Sequence, residues 1–190
     1  MTIERVFQET KLQMTKAMTI QELLSNIKNI KAGQRVLLSG TIYTARDAAH
    51  ARIIDLINKE AKLPFGLKNS AIYYCGPAPA KPGEIIGACG PTTSARMDVF
   101  TPKMLEAGVK ILIGKGARSE SVRDSIKKNK AVYMAVTGGV AALLSKTVKS
   151  CELIAFEDLG PEAVYKLEVK DMPLIVAVDS EGNNIFKGSE

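Results

Sequence analysis

Tryptophan is absent, histidine occurs once, and only five tyrosines and five phenylalanines are spread over 190 residues. Proteins that hold single-stranded nucleic acid interleave aromatic platforms with a basic stripe. No such stripe exists here, so no nucleic-acid partner is expected. Three cysteines, Cys75, Cys89 and Cys151, cannot all pair within the chain, and none has the Cys-x-x-Cys spacing of a zinc or iron–sulfur site. They read as buried thiols, and no metal ligands are assigned. No apolar run approaches the eighteen or so residues of a membrane span, and Met1–Lys16 is too polar and too mixed in charge for a signal peptide. No membrane association is expected, and the expected compartment is the cytoplasm. The dinucleotide fingerprint is missing from the strand-to-helix junctions. Gly114-Lys115 lacks a glycine at phosphate-loop spacing, since Gly108 is one residue too distant and Gly116 stands where Ser or Thr belongs. NAD, FAD and nucleoside triphosphates are therefore not expected.

What the chain does contain, 46% hydrophobic and 24% charged residues, suits one globular domain with a substantial core. Residues 1–18 carry little pattern and read as an N-terminal extension. Residues 19–190 read as one domain, without internal repeat or linker. The 26 basic and 20 acidic residues give a net charge of +6, compatible with anionic ligands. Yet the lysines are scattered. The one tight group, Lys127, Lys128 and Lys130, ends a predicted helix, where cations oppose the macrodipole.

Thr19-x-x-Glu22 is a capping-box pattern and predicts a short helix through about Lys28. Arg35–Ser39, Ala71–Tyr74, Glu84–Cys89, Val109–Ile113, Ala131–Val136, Leu153–Phe156 and Leu174–Val178 are predicted strands. The clearest helix is predicted over Arg46–Glu60, where Ala49, Ile53, Leu56 and Ile57 recur at helical spacing and Thr44-x-x-Asp47 offers a capping pair. Further helices are predicted from Pro102 to Gly108 and from Glu120 to Lys128. The alternation predicts an α/β fold with a largely parallel sheet. Leu63–Pro82, with Pro64, Pro77, Pro79 and Pro82, resists a helical reading and predicts an excursion or hairpin beside that sheet.

Several predicted strands end in glycine or a tight polar turn: Ser39-Gly40-Thr41, Gly87–Thr93, Gly114-Lys115-Gly116 and Thr137-Gly138-Gly139. Ligands of open parallel sheets gather at the carboxyl ends of the strands, and glycine lets backbone N–H groups approach an oxygen. Arg46, Arg96 and Lys115 lie in or just after such loops, and an arginine fork matches a carboxylate. The expected ligand is therefore an anion, bound in a cation-rich cleft. The alternative is that each cation is an ordinary surface residue. His50, on the predicted helix with Asp47, is a ligand, a general base or a packed partner of Asp47; a structural or supporting role ranks above direct catalysis.

Taken together, Gly40-Thr41-Ile42-Tyr43-Thr44-Ala45-Arg46-Asp47-Ala48-Ala49-His50, Gly90-Pro91-Thr92-Thr93-Ser94-Ala95-Arg96-Met97-Asp98 and Gly114-Lys115-Gly116-Ala117-Arg118-Ser119 resemble, in order and spacing, the C-terminal region of class I fumarases. The resemblance runs from about Ile20 to Phe186. It implies a three-layer swivelling β/β/α domain acting as the β subunit of an iron–sulfur hydro-lyase, which reversibly hydrates fumarate to malate, a step of the tricarboxylic acid cycle. A separate α subunit would hold the 4Fe–4S cluster through three cysteines of its own, with one iron open as a Lewis acid. This chain would then bind no cofactor. The α subunit and a small dicarboxylate are the implied partners, in an (αβ)2 assembly or with the isolated chain as a homodimer. By the same resemblance Arg46 and Arg96 hold substrate carboxylate, with Thr93, Gly114 and Ser119 beside them. Thr92 sits against the carbon that exchanges its proton, and Lys115 supports the charged intermediate. Asp47 and His50 back them up. A threonine hydroxyl is too weak an acid to serve readily as a base, so Thr92 needs nearby cations or a relay, and otherwise only positions substrate. Thr93 and Ser119 read equally well as helix caps. The β subunit of tartrate dehydratase shares the fold and both glycine elements, and a non-catalytic anion-binding module of the same fold is the remaining alternative.

Overall fold

The computed structural model describes residues 15–136 and 141–186. The Thr137-Gly138-Gly139 turn and most of the predicted extension lie outside the described residues. Within them the chain folds as mixed α/β, with a seven-stranded sheet. The end of the predicted extension belongs to that sheet, because Lys16–Thr19 is strand β1 and pairs in parallel with the next strand. Thr19 then opens helix α1 (Ile20–Ser25) with the capping box present in full. Glu22 N–H donates to Thr19 Oγ1 at 3.2 Å, and Glu22 Oε2 accepts from Thr19 N–H at 2.7 Å.

Strands β2 (Arg35–Thr44), β3 (Ala71–Tyr73), β4 (Ile111–Gly114) and β5 (Val132–Ala135) run parallel to one another. Helix α2 (Asp47–Asn58) follows β2, and α3 (Thr101–Glu106), with Pro102 in its first turn, precedes β4. Helix α4 (Glu120–Lys128) then leads into β5. After α5 (Ala141–Thr147), strands β6 (Val148–Ala155) and β7 (Val164–Val178) form an antiparallel pair. Strand β7 also pairs antiparallel with both β2 and β5. The pairing therefore closes a circuit from β2 through β3, β4, β5 and β7 back to β2.

Every residue of β3, β4 and β5 is buried, so these strands read as continuous apolar runs instead of alternating ones. Ala71, Ile111, Ile113, Val132 and Met134 face one core, which β1, α1 and β7 complete through Met18, Leu23, Leu167, Met172 and Val176. Ile72, Leu112 and Tyr133 face a second core against Ala49 and Ile53 of α2, Met104 and Leu105 of α3, and Val122 and Ile126 of α4.

Three expectations are corrected. Glu84–Cys89 is no strand: Glu84 and Ile85 are exposed, and Gly87 packs so tightly on the carbonyls of Ala78 and Pro79 that a Cβ would not fit. Leu63–Pro82 is not an excursion, because its middle supplies β3 to the centre of the sheet. Thr44 caps no helix. It is the last residue of β2, and its hydroxyl donates to Ala163 O and accepts from Tyr165 N–H, tying β2 to β7.

Candidate active site

Arg46 leaves the end of β2 in an extended conformation and occupies the N-cap of α2. Its carbonyl accepts from His50 N–H at 2.8 Å and from the His50 ring at 2.9 Å. His50 is 1% exposed, edge-on to Tyr74 and stacked on Phe100. Burial lowers its pKa to about 4, against the opposing hydrogen bond to Arg46. The ring is thus neutral near pH 7, and Nδ1 carries the hydrogen donated to Arg46. The Arg46 guanidinium lies 3.6 Å from Glu162, whose other oxygen accepts from Ala48 N–H at 3.1 Å in the first turn of α2. Its Nε is buried without a hydrogen-bond partner. Gly76 makes room for it: a Cβ there would lie 3.0 Å from Arg46 Nη1 and 2.8 Å from Pro161 O.

The Gly90–Thr93 loop lies between the ends of β3 and β4. Thr92 N–H donates to Tyr74 O at 2.7 Å, Pro91 bridges Cys75, and Thr93 bridges Lys115. Ser94 fastens the two loops together, its N–H donating to Lys115 O at 2.9 Å and its Oγ accepting from Lys115 N–H at 3.0 Å. Tyr133 OH donates to Gly116 O at 2.8 Å, which leaves its oxygen to accept from Ser94 Oγ at 2.9 Å. Burial raises the Tyr133 pKa, keeping the phenol a donor. Gly114 is required, because a Cβ would collide with Ser94 Oγ and lie 2.8 Å from Tyr74. The Lys115 side chain is exposed and has no ion-pair partner among the described residues. It borders a cleft of about 390 Å³ with Thr93, Gly116, Val136, Ile185 and Phe186.

Arg96 projects from the 3₁₀ turn Ser94–Met97 and grips Asp47 through both Nε (3.1 Å) and Nη2 (2.8 Å). The predicted residues Arg46, Asp47, His50 and Arg96 therefore form one group, and Thr92, Thr93, Gly114 and Lys115 form a second. Tyr74 joins them, packing on His50 and accepting from Thr92. Ser119 lies to one side, its N–H held by Asp98 at 2.8 Å. Thr93 and Ser119 do occupy N-cap positions, but neither hydroxyl makes the capping bond; Ser119 Oγ turns to Ser121 Oγ at 3.1 Å. The cation-rich cleft is corrected as well. Glu162 accompanies Arg46 and Asp47 accompanies Arg96, so a carboxylate offsets each guanidinium charge.

Sequence reasoning missed Glu162, Ser94, Tyr133 and the role of Arg118. Arg118 is 2% exposed and donates to Asp98 (2.7 Å), Tyr74 OH (3.3 Å) and Thr101 Oγ1 (2.6 Å), with its guanidinium over the Tyr74 and Tyr133 rings. An arginine inside a strand-to-helix loop was the available signal for Arg118. For Glu162 no local pattern existed. Among the described residues no group of three or more His, Cys, Asp or Glu is placed to hold a metal ion. Cys75 and Cys89 face one another in the core. No described helix is long and apolar enough to cross a membrane.

Two arginines and a lysine on loops at the carboxyl ends of parallel strands, carboxylates beside the arginines, and a glycine-lined turn beneath the lysine place the cationic groups of this α/β domain where ligands of open parallel sheets gather. The family is resolved by comparison. The model of the fumarase C-terminus family matches residues 2–189, and the chain belongs to that family. Similar proteins include fumarate hydratase 2 of Leishmania major, 40% identical over 88% of this chain and 30% of the relative. The aerobic class I fumarate hydratase of Escherichia coli (strain K12) is 37% identical over 88% and 31%. The putative L(+)-tartrate dehydratase subunit beta of Methanocaldococcus jannaschii is 41% identical over 85% of this chain and 86% of its own length. The chain thus spans about a third of the fumarate hydratases it matches and most of the tartrate dehydratase subunit.

Proposed function

We propose that this chain is the β subunit of a two-subunit hydro-lyase and supplies half of an active site that reversibly adds water to fumarate. The observation that carries the proposal is that Arg46, next to Asp47 in the chain, and Arg96, which grips Asp47, stand at loops after the strands, with Lys115 lacking an ion-pair partner among the described residues in the loop bridged to Thr93. A dicarboxylate would displace Glu162 from Arg46 and Asp47 from Arg96, exchanging one carboxylate for another at little electrostatic cost. The buried, unpartnered Nε of Arg46 favours such a ligand, since an orphaned donor is stabilised by any acceptor that reaches it. Lys115 would oppose the charge that builds on the carboxylate as the neighbouring carbon loses its proton. Thr92 would position the substrate, its backbone fixed by Tyr74. Thr93, Gly114 and Ser119 would line the path. The iron–sulfur cluster is assigned to a partner α subunit.

The fold is inferred to be the three-layer swivelling β/β/α type. Helices α2, α3 and α4 on one face of the parallel strands, with β1, α1 and β7 on the other, support that description. A cytoplasmic location is proposed with it. Tartrate is the second reading. It is supported by the 41% identity to the putative L(+)-tartrate dehydratase subunit beta of Methanocaldococcus jannaschii.

The test is kinetic, on the enzyme assembled with its cluster-bearing partner under anaerobic conditions and offered fumarate and tartrate separately. Arg96→Ala should lower kcat/KM by roughly 10²–10³, the loss expected when a group that meets transition-state charge is removed. Turnover of tartrate alone would move the substrate to the second reading. Unchanged kcat/KM in the variant would remove Arg96 from the site.

A further inference from the structure

The three cysteines converge on the first core. The sulfurs of Cys75 and Cys89 lie 2.7 Å apart and both residues are buried, so closing a covalent bond of about 2.05 Å asks the sulfurs to approach by only roughly 0.7 Å. The backbone is already in place. Tyr73 OH donates to Cys89 O at 2.6 Å, Ala78 N–H donates to Ala88 O at 3.0 Å, and Cys75 bridges Pro91. Cys151 is half-buried, packs against the same core, and lines a cavity of about 360 Å³ with Pro77, Pro79, Ile86, Pro161 and Tyr165.

We propose that Cys75 and Cys89 are a redox-convertible pair which a peroxide links into a disulfide, fastening the end of β3 to the root of the Gly90–Thr93 loop. One sulfur, as thiolate, attacks a peroxide oxygen, breaking the O–O bond to give a sulfenic acid and a hydroxide that takes up a proton. The second sulfur attacks the sulfenic sulfur and displaces its hydroxyl group as water. In sum the two thiols lose two electrons and two protons, and hydrogen peroxide becomes two waters. The Cys75 thiol is pushed up by its hydrogen bond with Cys89 and then by burial. A protonated Cys75 is a poor nucleophile, so it reacts slowly with an oxidant. Because Thr92 and Thr93 hang from the fastened loop, the site loop is locked to the sheet in the oxidised form.

The full chain is treated with hydrogen peroxide, denatured, alkylated, and examined by intact mass and peptide mapping. One alkylatable thiol in place of three, a mass lower by two hydrogens before alkylation, and a Cys75–Cys89 cross-linked peptide reversed by dithiothreitol are expected. Cys151→Ser should leave the cross-link intact. Three alkylatable thiols after prolonged treatment, a cross-link through Cys151, or oxidation confined to Cys151 would each overturn the proposal. The wild-type result decides this without any assay of turnover, so it stands apart from the fate of the proposed hydration reaction.

Discussion

Arg118 holds a permanent charge at 2% exposure, and three side chains take its donors. Removing one member of a buried pair leaves the other charged and unpaired, which costs about 3–5 kcal/mol. Arg118→Ala should therefore lower unfolding free energy by that order in urea denaturation, and a loss under about 1 kcal/mol would show that water reaches Asp98. His50 behaves in the opposite sense, because it is buried neutral. Its pKa of about 4 lies below the ordinary value, so the unfolded chain takes up the proton first. The stability His50 contributes is complete above about pH 6.5 and is lost as pH falls toward 4, by roughly 2 kcal/mol between pH 6.5 and 5. Comparing urea midpoints at pH 7 and pH 5, the wild type should lose clearly more than His50→Asn, whose amide retains a donor for the Arg46 carbonyl. Equal losses would mean that His50 is not held neutral.

Elements were legible wherever one short pattern carried its own reason. The capping box at Thr19 and Glu22, and the helix from Glu120 to Lys128, read correctly because their signals lie within a few residues. Strand β7 read only in part: Leu174–Val178 was legible, but the rest was not, since Pro173 lies within the ladder opposite Leu37 and Asp171 takes a positive φ. Only its pairing with β2, β5 and β6 accounts for a run from Val164 to Val178. Thr44-x-x-Asp47 misled because a buried hydroxyl at a strand end finds its partners across the sheet. The turn after β4 supplies a test at this scale. Gly114→Ala places a methyl against Ser94 and Tyr74, and overpacking of this kind typically costs about 1–3 kcal/mol. Because Ser94 also holds Lys115, the variant should lose both stability, read by thermal unfolding, and turnover in the assembled enzyme. Normal values for both would show that the Ser94–Lys115 clasp is dispensable.

At the scale of the molecule, the candidate site was half legible. Arg46, Arg96 and Lys115 stood out because each follows a glycine- or turn-rich strand end. Asp47 was legible as a supporting residue, but its grip on an arginine 49 residues away and the capping of α2 by Glu162 across 114 residues were hidden by distance along the chain. Those carboxylates change the physical picture of the free chain. Arg46 and Arg96 pair with Glu162 and Asp47, whereas Lys115 has no ion-pair partner among the described residues, so the proposed dicarboxylate would have to displace both carboxylates. The proposed active site is divided between two chains. The most direct measurement is anaerobic fumarate hydration by this chain alone, by a candidate cluster-bearing α chain alone, and by the two mixed. Turnover in the mixture only is predicted; turnover by either chain alone at the rate of the mixture would contradict a divided site.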